Sequence, residues 1–243
     1  MKRFLIALQF LTIFPIRIKS EVNEKDLGAS LVWFPVVGAL IGAVLAAILF
    51  IFSFLPHLVT IALVLIASIV LTGAIHLDGF TDTCDGFLSA KSKEKILEIM
   101  RDSRIGTMGA VGITCLLLFK FTILVSIPKD ILWKALIMTA VFARWCQCLA
   151  CYMSGYAREE GKARYFIEHA AGKGVLSGAV FTLVMFILLL RLKGLILFFI
   201  CLLPVFLSIQ FVKRKIGGMT GDTIGAVSEI AEVAVLFFSL AYA

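Results

Sequence analysis

The sequence predicts an all-α protein, a polytopic membrane helix bundle of about seven transmembrane helices. Of its 243 residues, 61% are hydrophobic, whereas roughly half are apolar in soluble domains, and the mean hydropathy is +1.04. Seven apolar segments are long enough to cross a bilayer, which takes about 20 residues in a helix. The loops between them are too short for a second domain, so residues 1–243 are treated as a single integral membrane domain.

The first element is a short apolar segment at the N-terminus. Lys2 and Arg3 precede an apolar stretch from Phe4 to Phe14, which is too short to span a bilayer. Pro15-Ile16-Arg17 follows it, in place of the small residues of a cleavage site. We expect an uncleaved segment that lies in the membrane interface.

The seven predicted spans follow in order, separated by helix breakers. Pro56-His57 ends the first span, Pro128-Lys129-Asp130 ends the third, and Arg191 to Lys193 ends the fifth. The fifth and sixth could instead form one bent hairpin. The predicted spans lie near residues 30–55, 58–77, 107–127, 131–153, 174–190, 194–212 and 223–242.

Lysine and arginine residues predict the orientation. With the N-terminus in the cytoplasm, 17 of the 23 lie on the cytoplasmic side and 4 outside, while Lys120 and Arg144 lie within spans. Basic loops stay in the cytoplasm, so we predict a cytoplasmic N-terminus and an external C-terminus. The net charge of +7 then indicates contact with anionic lipid or a phosphorylated substrate. It does not indicate nucleic acid, because the basic residues form no continuous face.

The end of the second predicted span carries three carboxylates. Asp78, Asp82 and Asp85 recur at i, i+4 and i+7, so on a continuous helix they share an arc of about 60°. Three acids on one face near a bilayer repel one another and are costly to desolvate. A divalent cation removes both penalties, and hard oxygen ligands favour Mg²⁺, Mn²⁺ or Ca²⁺. The alternative is a solvated helix end with incidental acids.

A second candidate region follows a short amphipathic stretch. Residues 92–100 carry apolar side chains at helical spacing and predict a short cytoplasmic interfacial helix. It leads into Arg101, Asp102, Ser103 and Arg104. Arginine binds phosphate with two parallel hydrogen bonds, so this stretch is a candidate phosphate site. The alternative is that its arginines only anchor the cytoplasmic side.

A third candidate region opens the last predicted span. Residues 217–223 are glycine-rich and lead into a helix start, which can bind an anion. Asp222 lies in this turn. Glu229 and Glu232 follow inside an apolar span, where acids are functional candidates. The alternative for these two glutamates is structural pairing with the basic residues inside the spans.

Several segments together resemble one known family, the cobalamin synthases, also called adenosylcobinamide-GDP ribazoletransferases. The resemblance covers nearly the whole chain and keeps the family's order. It rests on FLTIFPIR near the N-terminus, FPVVGALIGA in the first span, HLDGFTDTCDGF and IMRDSRIGTMGAVG in the acidic region, YAREEGKA at 156–163, and GGMTGDTIGA at 217–226.

The resemblance implies a specific reaction. Such an enzyme joins adenosylcobinamide-GDP to α-ribazole, or to α-ribazole 5′-phosphate, and releases GMP. The product is adenosylcobalamin or its 5′-phosphate. The resemblance also implies a requirement for Mg²⁺ and a location in the cytoplasmic (inner) membrane of a prokaryote. The resemblance leaves a homo-oligomer open.

This chemistry assigns expected roles to the candidate residues. We expect Asp78, Asp82 and Asp85 to hold the metal, with Asp82 the most essential. One of these acids, or Asp102, would orient or deprotonate the attacking hydroxyl. The expected substrate-binding residues are Arg104, Arg101, Ser103, Arg158 and Asp222, and Asp222 is also a candidate second metal ligand.

Two other functions are compatible with parts of the sequence. A CDP-alcohol phosphotransferase shares the clustered aspartates, but its Gly-x-x-Ala-Arg run is replaced here by residues 86–91, GFLSAK. A secondary transporter would use Glu229 and Glu232 as ion sites, but no inverted repeat is visible. Release of GMP by the purified protein separates an enzyme from a transporter.

Overall fold

The structure is a computed structural model that describes residues 1–242, and it confirms the all-α prediction. Within these residues no strand forms, and one isolated bridge joins Tyr156 to Met219. Short 3₁₀ turns at Leu31–Trp33 and Leu240–Tyr242 accompany the α-helices. The α-helices are α1 (Lys2–Leu11), α2 (Glu24–Ser30), α3 (Phe34–Ile51), α4 (His57–Thr72), α5 (Ile75–Phe87), α6 (Lys93–Ile99), α7 (Thr107–Ser126), α8 (Lys129–Met153), α9 (Ala163–Glu168), α10 (Gly172–Leu190), α11 (Leu192–Ile216) and α12 (Gly221–Ser239).

Five helical segments in the described chain are long and apolar enough to cross a membrane. They are Glu24–Ile51, which joins α2 to α3, and the helices α7, α8, α10 and α11. A sixth span results if α4 and α5 are counted as one broken segment. The seventh predicted span corresponds to α12, which carries three acidic residues within 19 and is not among the five. By length and composition the bundle therefore has five or six spans.

A sharp bend separates the acidic segment from the second predicted span. Gly73 (φ 61°) and Ala74 (φ 57°) both adopt left-handed backbone, which is a common way to end a helix. α5 leaves α4 at an angle of 89°. Its 13 residues reach about 20 Å, less than the roughly 30 Å of a bilayer core. α5 is therefore not a span by itself, and we place its aspartates beyond the end of α4, at the membrane surface.

α8 is the central helix of the bundle. In its most apolar stretch 78% of the residues are buried, against 22–50% for the other four candidate spans. Phe142 and Trp145 of α8 pack with Phe186 of α10 and Phe198 of α11, with ring centroids 5.3–5.8 Å apart. α3 and α12 pack on other faces of α8. The fifth and sixth predicted spans are separate helices, broken at Arg191 (φ 55°).

The short helices cover one end of the bundle. The N-terminal segment forms α1, which buries Ile6, Ala7 and Leu11 against the bundle. The helix predicted within residues 92–100 is confirmed as α6, and it packs against α5 and α11. α9 packs against α2 and α8.

Candidate active site

The candidate site lies where α5 meets the start of α12. A Cβ atom added to Gly79 of α5 would lie 2.6 Å from the carbonyl oxygen of Asp222 and 2.7 Å from its Cα. A Cβ on Gly225 of α12 would lie 3.2 Å from Cα of His76. Glycine therefore permits backbone contact between the two helices at both positions. This contact brings Asp222 beside the aspartates of α5.

The glycine-rich turn before α12 is paired with the loop after α8. The Met219 N–H donates to the Gly155 carbonyl at 2.8 Å, and the Ala157 N–H donates to the Met219 carbonyl at 2.9 Å. Thr220 and Thr223 form a capping box that fixes the start of α12. The pairing holds the 155–162 loop against the N-terminus of α12, and no local sequence pattern predicts it.

Arg158 links this loop to the acidic residues. Its Nη2 lies 2.8 Å from Oδ2 of Asp222 and donates to the Met100 carbonyl at 3.3 Å. Its side chain is 12% exposed, and its Nε is buried without a hydrogen-bond partner among the described residues. Buried donors are nearly always satisfied in folded proteins. An oxygen of a phosphorylated ligand would satisfy this one.

The electrostatics of the site are dominated by excess negative charge. Burial, together with the charges of Asp78, Asp222 and Asp85, raises the pKa of Asp82 to about 7 against the opposing charge of Arg158. Burial also raises the pKa of Asp222, against the lowering effect of Arg158. Asp78, Asp82 and Asp222, which we call the acidic cluster, therefore form one electrostatically coupled group.

Asp85 has a different environment. Its two carboxylate oxygens accept hydrogen bonds from the backbone N–H groups of Gly106 and Gly109, at 2.8 and 2.7 Å. These groups belong to the start of α7, whose unpaired N–H groups attract an anion. In this arrangement Asp85 joins α5 to α7. That it also holds a metal ion stays a prediction.

The stretch after α6 is divided between two environments. Arg104 donates to Asp102 through Nε at 3.0 Å and Nη2 at 2.7 Å, and this bonding lowers the pKa of Asp102 to about 2. Asp102, Ser103 and Arg104 are exposed, and no ion pair among the described residues joins them to the acidic cluster. Arg101 is exposed as well, but its charge acts on Tyr156 of the 155–162 loop, where it opposes the rise in pKa that burial produces.

The fit of a metal ion depends on the donors that the site offers. Within residues 1–242, no three His, Cys, Asp or Glu side chains converge as a preformed metal site. Mg²⁺ at phosphate-handling sites commonly takes one or two carboxylates, and completes its shell with water and substrate phosphate. The hard oxygens of the acidic cluster, with their uncompensated charge, meet that requirement.

A cavity of about 340 Å³ lies beside the acidic cluster. Asp78, Asp222, Arg158 and Lys162 form a charged part of its lining. A second part is aromatic and comes from α1, α3 and α9: Phe10, Phe34 and Phe166. The sequence did not indicate that the N-terminal segment contributes to the site.

A buried polar contact supports the helices that carry the acidic cluster. Gln147 of α8 lies 3.1 Å from Nε2 of His76 on α5, and it donates to Ser228 of α12 at 2.8 Å. Gln147 is 1% exposed and also lines the cavity. Sequence reasoning missed Gln147 because a single amide inside an apolar helix gives no pattern.

Glu229 and Glu232 are engaged in a structural network away from the cavity. Lys120 of α7 pairs with Glu229 and lies 2.6 Å from Glu232, which also pairs with Arg144 of α8. The structural alternative for the two glutamates is therefore observed. We call these four residues the buried charge network.

Comparison with known proteins gives one consistent result. Residues 3–240 match the family described as cobalamin-5-phosphate synthase. An adenosylcobinamide-GDP ribazoletransferase of Acetivibrio thermocellus is 40% identical over 242 residues, covering 98% of each chain. Proteins of the same name from Geotalea daltonii and Clostridium acetobutylicum are 38% and 35% identical, covering 97% and 98% of this chain and 96% and 98% of their own.

No solved structure matches the chain. The family match spans almost the whole described sequence, and the relatives align from end to end. The chain belongs to the cobalamin-5-phosphate synthase family.

Proposed function

We propose that this protein is a membrane-bound adenosylcobinamide-GDP ribazoletransferase. It joins adenosylcobinamide-GDP to α-ribazole, or to α-ribazole 5′-phosphate, and releases GMP, giving adenosylcobalamin or its 5′-phosphate. The observation that carries the proposal is that Asp78, Asp222 and Arg158 line one cavity and are coupled to Asp82, in a chain of this family. Negative oxygens and an unsatisfied arginine donor are what a metal-dependent diphosphate reaction requires.

The reaction is a displacement at phosphorus. A ribose hydroxyl of α-ribazole attacks the phosphorus on the cobinamide side of the diphosphate. A new P–O bond forms, and the bond to the bridging oxygen breaks. GMP leaves with that electron pair, and an aspartate of α5 takes the hydroxyl proton.

Arg158 and the acidic cluster divide the binding of the donor between them. The free Nε of Arg158 and its charge would bind a diphosphate oxygen, while its Nη2 holds Asp222 in place. Asp78 and Asp82, with Asp222, would hold Mg²⁺. When bound, Mg²⁺ neutralises charge on the diphosphate and so favours departure of GMP. Arg101, near Tyr156, supplies further positive charge on this side.

The remaining candidates have lesser roles in this proposal. Asp85 fixes the angle between α5 and α7 and is a further candidate ligand. Asp102, Ser103 and Arg104 form an exposed segment that can contact the large donor at the rim of the site.

The proposed setting is the cytoplasmic membrane of a prokaryote, with the site on the cytoplasmic side. The distribution of lysine and arginine, 17 against 4, supports this orientation. The apolar helices support insertion into lipid. A transporter role and a phospholipid-forming role are not favoured. The matching family is described as cobalamin-5-phosphate synthase, and Glu229 and Glu232 are paired with buried basic residues.

The test is a reconstituted reaction. Purified protein in nanodiscs is incubated with adenosylcobinamide-GDP, α-ribazole and Mg²⁺, and cobalamin and GMP are measured together. We expect equal amounts of the two products, and none when EDTA replaces Mg²⁺. Release of GMP without cobalamin would indicate a hydrolase, and absence of both products would refute the proposed function.

A further inference from the structure

The cavity beside the acidic cluster has the size of a nucleoside pocket. Its volume of about 340 Å³ lies at the small end of ligand pockets, which span roughly 300–1,000 Å³. A corrin macrocycle that carries a nucleotide is far larger than a nucleoside. The cavity can therefore enclose the acceptor or one nucleoside portion of the donor, but not the corrinoid.

Part of the cavity wall is aromatic. The ring centroids of Phe10 and Phe166 are 4.7 Å apart with the rings tilted by 41°, and those of Phe34 and Phe166 are 5.9 Å apart with a tilt of 58°. Phe34 and Phe166 are 2% and 5% exposed and present little surface, whereas Phe10 is 36% exposed. Aromatic rings pair favourably in offset-stacked and edge-to-face arrangements, so Phe10, packed on the two buried rings, can contact a planar base.

The other part of the wall carries the charges. Asp78 and Asp222 lie on it together with Arg158 and Lys162. A ligand that occupies the whole cavity thus contacts an apolar surface at one part and the proposed catalytic carboxylates at the other. A nucleoside with an apolar base has this division within one molecule.

We infer that this cavity is the binding pocket for the acceptor, α-ribazole, and we call it the acceptor pocket. The inference rests on the proposed function. The benzimidazole base lies among Phe10, Phe34 and Phe166, and the ribose points its attacking hydroxyl toward Asp78. Lys162 and Arg158 supply positive charge for the 5′-phosphate of the phosphorylated acceptor.

Guanine is the competing occupant, and its chemistry fits the pocket less well. Its edge carries several donors and acceptors that need partners when buried. Gln147 and His76 also line the cavity, and they already bond to each other. A benzimidazole nucleoside has one free ring nitrogen and leaves few groups unpaired.

The test compares the Michaelis constants of the two substrates. Phe166→Leu keeps an apolar side chain but removes one ring of the aromatic wall and the support of Phe10, so we expect the KM for α-ribazole to rise roughly tenfold. The KM for adenosylcobinamide-GDP should change less than twofold. Phe186→Leu is the matched control, because Phe186 is fully buried in the aromatic cluster of α8, α10 and α11 and does not line the cavity. Phe10→Leu repeats the test at a more exposed position if Phe166→Leu does not fold.

Calorimetric titration of the nanodisc protein with α-ribazole alone separates this inference from the proposed function. We expect binding by the wild type and roughly tenfold weaker binding by Phe166→Leu. A wild type that makes cobalamin while both phenylalanine variants keep the acceptor KM would overturn the pocket assignment and leave the function standing. A rise in the donor KM instead would assign the cavity to guanosine. A wild type that neither binds α-ribazole nor turns over would refute both.

Discussion

Asp82 has the most perturbed environment of the carboxylates in the acidic cluster. It is half-buried on α5, and the charges of Asp78, Asp222 and Asp85 add to the effect of burial on its pKa. Arg158 offsets part of that charge but also pairs with Asp222. A carboxylate held in this way is stabilised by a cation, so Asp82 is the residue on which the proposed chemistry depends most.

Replacing Asp82 tests this dependence. Asp82→Asn keeps the size of the side chain but removes the charge, so we expect kcat to fall at least about 100-fold, as for loss of one electrostatic stabiliser. Cobalamin formation in nanodiscs measures it. Asp130→Asn is the control, because Asp130 is exposed at the start of α8, whereas the 155–162 loop of the site follows the other end of that helix. Near-normal turnover by Asp82→Asn would exclude it from the chemistry.

The raised pKa of Asp82 also predicts how pH affects stability without metal. The pKa of Asp82 is about 7 in the folded protein, against an ordinary value of 3.8. The folded state therefore binds more protons between about pH 4 and 7, and the metal-free protein loses stability as pH rises through that range. Mg²⁺ competes with the proton, so it should raise the Tm more at pH 8 than at pH 5.

Thermal unfolding in detergent, with EDTA or with Mg²⁺ at each pH, measures this linkage. Asp82→Asn is the reference, because its side chain does not titrate and its response to Mg²⁺ should depend less on pH. A Tm increase from Mg²⁺ that is equal at both pH values in the wild type would contradict the assignment of Asp82 as a ligand.

Among the helices, the position of the site depends on the close contact between α5 and α12 and on the starts of α7 and α12. α5 and α12 touch at Gly79, where the backbone of Asp222 occupies the place of a side chain. Asp85 binds the N–H groups at the start of α7, and the capping box of Thr220 and Thr223 fixes the start of α12. The position of the acidic cluster is therefore set by backbone contacts.

Gly79→Ala tests the contact between α5 and α12. The new Cβ would lie 2.6 Å from the Asp222 carbonyl oxygen, and backbone atoms cannot rotate away. We expect a loss of about 1–3 kcal/mol in unfolding free energy from overpacking, against a gain of about 1 kcal/mol from the helix preference of alanine. A displacement near 1 Å can lower kcat about 100-fold.

The measurements are chemical denaturation and kcat in the same detergent. Gly155→Ala is the matched control, because a Cβ there meets no atom within 4 Å. Unchanged turnover in Gly79→Ala would show that the separation of the two helices does not matter for catalysis.

At the scale of the whole molecule, the bundle is held by an apolar centre and a buried charge network. α8 is the most buried of the candidate spans, and the network joins α7, α8 and α12 through Lys120, Arg144, Glu229 and Glu232. A small cavity of about 50 Å³ lies against these residues. Burial of paired charges constrains how helices associate more than it adds stability.

Lys120→Met tests that role. It leaves two buried glutamates with only Arg144 nearby, and removal of one partner from a buried pair destabilises by about 3–5 kcal/mol. The double variant Lys120→Met/Glu229→Gln removes one of the orphaned charges and should recover part of this loss. Denaturation midpoints measure both. A stable Lys120→Met that has lost turnover would instead indicate a functional role for the network.

Two features of the protein follow from the order of its amino acids alone, the fold class and the family. Composition and the spacing of apolar segments predicted the all-α membrane bundle, because lipid is the only solvent for so much apolar surface. The spacing of Asp78, Asp82 and Asp85 predicted a common face, and the resemblance predicted the family that the comparisons show. The glycine-rich turn at residues 217–223 predicted Asp222 as a candidate site residue.

Which of these residues meet follows from the packing of the helices instead. The bend at Gly73 and Ala74 turns α5 away from α4, and the pairing of residues 155–157 with Met219 brings Arg158 to Asp222. Packing of the bundle also brings Asp85 of α5 to the start of α7 and puts Phe10, from the N-terminal helix, into the cavity wall. Sequence periodicity reports neighbours within one helix. Contacts between distant segments depend on packing of the whole bundle, which no local pattern contains.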